Sequence, residues 1–119
     1  AQDQNAMRDG KWGDQQVVPS GWFTQAATPG SLNPAYGFLW WLHTEKPFKP
    51  AVGGTSKAAF FPDAPDDTFA ALGLGGQMVV VIPSQKLVIS RMAAEDQSDP
   101  VGGSFGQELP ARVVSAVTD

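Results

Sequence analysis

Five consecutive bulky apolar residues, Met78-Val79-Val80-Val81-Ile82, stand between a glycine cluster and a proline, and they constrain the fold more than any other feature. Valine and isoleucine favour the extended state, so the run reads as a strand. Side chains of a strand alternate between its two faces, and a strand that is apolar at every position needs cover on both. Helices must therefore pack on at least one side of the sheet. The flanks supply its neighbours: Phe69-Ala70-Ala71-Leu72 leads into Gly73-Leu74-Gly75-Gly76-Gln77, and Pro83-Ser84-Gln85-Lys86 leads on to Leu87-Val88-Ile89-Ser90-Arg91-Met92. The order is strand, glycine kink, strand, tight turn, strand.

The C-terminus is the candidate cover. Ser104 and Gln107 have capping-box spacing, and Phe105, Leu109, Val113 and Val117 recur every four residues as one apolar stripe. Pro110 within the stripe is expected to kink the helix or delay its start. The stretch 96–103 before it is a polar, Gly-rich linker. Upstream, Tyr36-Gly37-Phe38-Leu39-Trp40-Trp41-Leu42-His43 reads as a core strand, and residues 44–67 as a long excursion over one sheet edge around the island Ala58-Ala59-Phe60-Phe61. Lys11 to Val18 is a short extended piece, and Ser20 is placed to cap a helix of one or two turns. Residues 1–9 show little periodicity and carry no structural weight in this reading. Thirteen Gly and ten Pro make about a fifth of the chain, against an average near an eighth, which fits frequent turns and few long helices. No internal repeat or low-complexity tract is present.

A chain of 119 residues, 42% hydrophobic, supports one modest core and one domain. The formal net charge of -4 supplies no basic stripe, so neither nucleic acid nor an anionic membrane is an expected partner. No apolar run approaches the ~20 residues that span a bilayer, and a soluble protein is expected. With no cysteine there is no disulfide, no thiolate metal site and no cysteine nucleophile. No cofactor and no metal are expected.

Catalysis by the residues present has little to draw on. His43 is the single histidine, no Gly-x-Ser-x-Gly elbow exposes a serine, and His43 is read as the surface end of its strand. Asp63, Asp66 and Asp67 lack calcium-loop spacing and read as a solvated acidic turn. Gly53-Gly54-Thr55-Ser56-Lys57 lacks the P-loop order and reads as a mobile loop. Trp40 and Trp41, adjacent on a strand, point to opposite faces, one into the core and the other free to line a cleft. Trp12 and Trp22 read as plugs of a hydrophobic edge. The glycines at 73, 75 and 76 either make a bulge that curves the sheet or leave a backbone N–H exposed, and an exposed N–H is the raw material of an oxyanion hole.

Four segments in order resemble a known family: Arg8-Asp9-Gly10-Lys11-Trp12 with Gln16-Val17-Val18-Pro19; Tyr36-Gly37-Phe38-Leu39-Trp40-Trp41; Phe69 to Gln77; and Val81-Ile82-Pro83 with Leu87-Val88-Ile89. The chain is similar, over nearly its whole length, to the penicillin-recognising serine hydrolases related to class C β-lactamases, in the branch of 6-aminohexanoate-dimer hydrolase and family VIII esterases. The resemblance implies the C-terminal part of a longer enzyme. The family's Ser-x-x-Lys and Tyr-x-Asn-like motifs lie before the matched region and do not occur here. Its Lys-Thr-Gly strand corresponds to Ala71-Leu72-Gly73, and that departure fits esterases and amidases rather than β-lactam hydrolysis. The N–H of Leu74 is then implied as one oxyanion donor, with a two-residue shift towards Gly75-Gly76 left open, and the absent nucleophile supplies the other.

The fold class expected is α+β, mostly antiparallel, with a C-terminal helix on the sheet, and residues 1–119 form a single, partial domain. The function implied is ester or short-amide hydrolysis through an acyl-enzyme. In this reading Leu74 stabilises the oxyanion, while Leu72, Gly73, Gly75, Gly76, Gln77, Trp40, Trp41 and the 44–67 loop line the substrate cleft. The chain alone is expected to be inactive. Its partners would be the missing N-terminal catalytic region, a small ester or amide, and a second copy in an oligomer or swapped dimer. The family leaves bacterial periplasm and cytoplasm both open. The alternative is a non-catalytic binding or interaction module that uses the same sheet.

Overall fold

A computed structural model describes residues 6–51, 53–92 and 104–118. The protein is a small α+β domain with antiparallel sheets and a C-terminal helix. Strands β1 (Lys11–Trp12) and β2 (Gln15–Gln16) form a minimal hairpin, and the short helix α1 (Trp22–Ala26) follows. The main sheet comprises β3 (Trp41–Leu42), β4 (Phe69–Gly73), β5 (Gln77–Ile82) and β6 (Leu87–Arg91), in that spatial order. Helix α2 (Ser104–Thr118) closes the chain. Among the described residues no helix is long and apolar enough to cross a membrane.

Strand β5 is the centre of the molecule, as its composition requires. Met78, Val80 and Ile82 enter one core cluster with Ala35, Phe48, Phe60, Phe61 and Ala70, and Leu109 and Val114 of α2 pack against it. Val81 enters a second cluster with Ala6, Leu42 and Phe69, against which Phe23, Trp40 and Val79 pack. Cover on both faces is thus met by α2 and the 44–67 excursion on one side, and by α1 and the chain start on the other.

Several expectations are corrected. Only Trp41–Leu42 of the Tyr36–His43 run is strand, because Leu39 adopts a left-handed φ of 63° and Gly37 N–H bonds the Trp40 carbonyl, folding the segment into a turn. The excursion does more than cross an edge: Phe48, Phe60 and Phe61 are buried in the core, held by a Phe48–Ser56 bridge and a Phe60 N–H to Thr44 carbonyl bond. Ser20 does not cap α1. Gly21 occupies that position with φ 79°, and the Ser20 hydroxyl instead donates to Asp9. Residues 6–9 carry structural weight, since Ala6 is buried and Asp9 ties the chain start to residues 20 and 21. Trp12 and Trp22 are exposed rather than plugging an edge.

Helix α2 meets the sheet one step round from the expected stripe. Gly106 and Pro110 are buried, while Phe105 and Val117 are exposed. Gly106 faces the sheet, where a Cβ would meet the Met78 methyl at an ordinary 3.6 Å, and the neighbouring Phe105 is turned outward. Pro110 does not delay the helix, which begins six residues before it. The carbonyl that its missing N–H leaves unbonded within the helix is that of Gly106. The 96–103 linker and the Ser104 side chain lie outside the described residues.

Candidate functional site

The glycine cluster turns β4 into β5 through three residues, Leu74-Gly75-Gly76, closed by the pair Gly73–Gln77. Gly75 (φ 74°) and Gly76 (φ 76°) both need left-handed backbone, which a side chain resists. Gly73 is extended (φ -117°, ψ 162°), and a Cβ on it would lie 3.1 Å from Gln77 Cβ. The Leu74 side chain is 80% exposed. A guanidinium supports the turn, for Arg91 Nη1 donates to the Gly76 carbonyl at 2.8 Å.

The ladder fixes where the backbone groups point. His43 N–H donates to the Thr68 carbonyl at 2.9 Å, so that carbonyl and, by alternation, the backbone groups of Ala70 and Leu72 point towards the β3 side of β4. On β4, strand β3 pairs with Phe69 and Ala70, and among the described residues no strand pairs Ala71–Gly73 on that side. Because Gly73 is extended, the N–H of Leu74 points the same way as the groups of Leu72. The hairpin therefore aims one backbone donor past the end of β3, beside an exposed leucine. The expected bulge is not what these glycines make: the β4–β5 register runs unbroken to Gly73–Gln77, and Gly75 and Gly76 lie in the hairpin turn itself.

The remaining residues expected to line a cleft divide. Trp41 packs on the Phe60 ring at 5.0 Å and Tyr36 at 4.8 Å, and it and Leu72 contact the same core cluster. Trp40 lies on the opposite face, against Phe69 at 5.1 Å and Phe23 at 6.3 Å. The two tryptophans do face opposite ways, and each is half-buried. Trp41 is on the Leu72 side of the sheet and Trp40 is not. Gly75 is buried and Gln77 half-buried at the base of the turn. Sequence reasoning passed over Arg91 and Phe105, whose ring lies 5.0 Å below the guanidinium. An arginine closing an apolar strand is the signal that marks the position, but its partner at Gly76 is fifteen residues away.

A cleft of about 580 Å³ opens at the other end of β4, lined by Met7, Phe23, His43, Asp66, Thr68 and Phe69 among others. His43 does not end its strand at the surface. Its side chain is 7% exposed, with Nε2 3.8 Å from an Asp66 carboxylate oxygen, and Nδ1 and the Thr68 hydroxyl are buried without a partner. The acidic turn is solvated at Asp63 and Asp66, whereas Asp67 binds Ser84. Among the described residues no group of three or more His, Cys, Asp or Glu side chains could hold a metal ion. At the chain start, the Ser20 hydroxyl (2.6 Å) and then the Gly21 N–H (2.8 Å) hold the Asp9 carboxylate below its ordinary pKa.

No known protein family, curated protein or solved structure matches this chain.

Proposed function

We propose that this chain is the C-terminal region of a β-lactamase-related serine hydrolase that cleaves esters or short amides through an acyl-enzyme. The observation that carries the reading is the direction of the Leu74 N–H, aimed off the β4 edge beyond the last β3 pair. In acyl transfer a seryl oxygen bonds to the carbonyl carbon and the π pair moves onto oxygen. A fixed N–H about 3 Å from that oxygen stabilises the charge as it develops, and it needs no particular side chain. Collapse expels the alcohol or amine, and water then releases the acid and regenerates serine. This chain supplies one donor, with Leu72 and Trp41 on the adjoining wall. The serine, its proton partner and the second donor belong to the region upstream. The resemblance of the four segments supports the assignment, and the open edge supports a site completed by other residues.

An isolated copy lacks what covers its edges, so the same reading makes it self-associate. A second reading, a non-catalytic interaction module, draws on the exposed Trp22 and Phe38 rings, 6.2 Å apart. Reaction with a serine-directed fluorophosphonate, read by intact mass, separates the two. The expected result is no adduct on this chain and one adduct on the protein that includes its upstream region, at a serine followed three residues later by lysine. An adduct on this chain would overturn the reading, as would an upstream region with neither label nor esterase activity, which would leave the interaction module.

A further inference from the structure

The space beside Gly76 is taken by the guanidinium of an arginine. A Cβ there would meet Arg91 Nη1 at 2.3 Å, while the same nitrogen donates to the Gly76 carbonyl at 2.8 Å. The guanidinium lies over the Phe105 ring, 5.0 Å from its centroid, a distance that brings cation–π attraction. Phe105 is placed by the first turn of α2, where Gly106 rests on Met78, and Met78 is the cross-strand partner of Arg91. A chain of contacts thus runs from the C-terminal helix through Phe105 and Arg91 to the turn that carries Leu74.

The turn needs such a tie. Two successive glycines lose more backbone freedom on ordering than any other pair, and the β4–β5 ladder holds only the ends of the turn. A donor that wanders by 1 Å loses much of its value to a transition state. We infer that Arg91 is the positioning residue of this site: bonded to the Gly76 carbonyl and stacked on Phe105, it holds the glycine turn in the one conformation that aims the Leu74 N–H off the β4 edge. The inference rests on Leu74 as oxyanion donor and names what orients it. Lysine does not replace it, because an ammonium can reach the carbonyl but has no planar face for the ring.

The test has two arms. In this chain, backbone 15N relaxation is measured for the wild type, Arg91→Ala, Arg91→Lys and Phe105→Leu. Order parameters at Leu74–Gly76 are expected to match the flanking strands in the wild type and to fall below about 0.6 in Arg91→Ala, with β5 unchanged. Arg91→Lys and Phe105→Leu should fall between. Turn order parameters unchanged in Arg91→Ala would overturn the inference. If that variant does not fold, unchanged values in both Arg91→Lys and Phe105→Leu would do so.

In the protein that includes the upstream region, Arg91→Lys is expected to lower kcat for ester hydrolysis about tenfold with KM nearly constant. A loosened turn with full kcat would overturn the positioning role. A wild-type protein with no hydrolysis and no fluorophosphonate adduct would instead overturn the hydrolase reading, while the relaxation data still decide whether Arg91 orders the turn.

Discussion

Ser84 donates twice to one carboxylate: its backbone N–H reaches Asp67 Oδ2 at 2.6 Å and its hydroxyl reaches Oδ1 at 2.8 Å. This pair pins the turn between β5 and β6 to the residues just before β4, so both ends of the central hairpin are tied outside the ladder. Hydrogen bonds to a charged group contribute about 1.5–3 kcal/mol each when shielded, and less where water competes, as at this exposed pair. Asp67→Ala is expected to cost about 1–2 kcal/mol. Asp67→Asn, which keeps one acceptor, should cost less than half of that. Urea unfolding checks both, and equal losses in the two variants would contradict the bidentate geometry.

Two glycines make opposite predictions from the same substitution. A Cβ on Gly37 would lie 2.0 Å from the Ala26 carbonyl oxygen, backbone that also accepts from Phe38 N–H, so nothing there yields without undocking α1. A Cβ on Gly106 would meet only the Met78 side chain, at 3.6 Å, an ordinary contact. Gly37→Ala should destabilise by about 3 kcal/mol or more. Gly106→Ala should be neutral or stabilise by up to about 1 kcal/mol, since alanine is the better helix former. Thermal unfolding of the two variants side by side decides the matter.

The architecture was legible where a period or a run forced it. Residues 78–82 demanded two covered faces, and the adjacent Trp40 and Trp41 did separate onto them. Legibility failed where a single backbone torsion or a distant contact decided the outcome. Leu39 in left-handed conformation cut short a run whose composition read as strand throughout. The stripe of α2 was misplaced because the buried face carries Gly106 and Pro110, which a count of large apolar side chains passes over. At the candidate site the glycines left a bulge and an exposed Leu74 N–H both open. The direction of the Leu74 N–H came only from the extended Gly73 and the early end of β3.

Asp9 gives a pH dependence with a definite sign. Its folded pKa is lowered by the Ser20 hydroxyl first and the Gly21 N–H second. A depressed carboxylate stabilises the fold above its unfolded pKa, and the contribution disappears as pH falls through the folded value. The link between the chain start and α1 is therefore intact at neutral pH and released only in acid below the ordinary carboxylate range. An NMR titration should place the Asp9 midpoint below that of an ordinary aspartate, and Ser20→Ala should move it upward. A midpoint indifferent to Ser20→Ala would show that the hydroxyl is not its partner in solution.

Leu74→Pro isolates the proposed donor. Proline has no N–H, its fixed φ suits the helical turn that Leu74 begins, and it favours an extended residue before it, as Gly73 is. The turn is thus preserved while the hydrogen-bond donor is deleted. In the protein with its upstream region, kcat should fall about 10²-fold or more with little change in KM. Retained turnover would remove Leu74 from the oxyanion site.

The outer edge of β6 makes the last prediction. Leu87-Val88-Ile89 is apolar on both faces like a central strand, yet among the described residues β6 has a neighbour on one side only. Alternation carried across the sheet from the His43–Thr68 bond directs the backbone groups of Leu87, Ile89 and Arg91 towards β5, and those of Val88 and Ser90 outward. An edge with outward donors and neither proline nor lysine along it is open to another strand. The isolated chain is expected to self-associate at high micromolar concentration. Ser90→Pro removes an outward N–H without touching the ladder and should restore the monomer at little cost in stability. Sedimentation velocity on the two proteins checks it. A wild-type monomer would sink the prediction, and an oligomer that persists in Ser90→Pro would move the contact away from this edge.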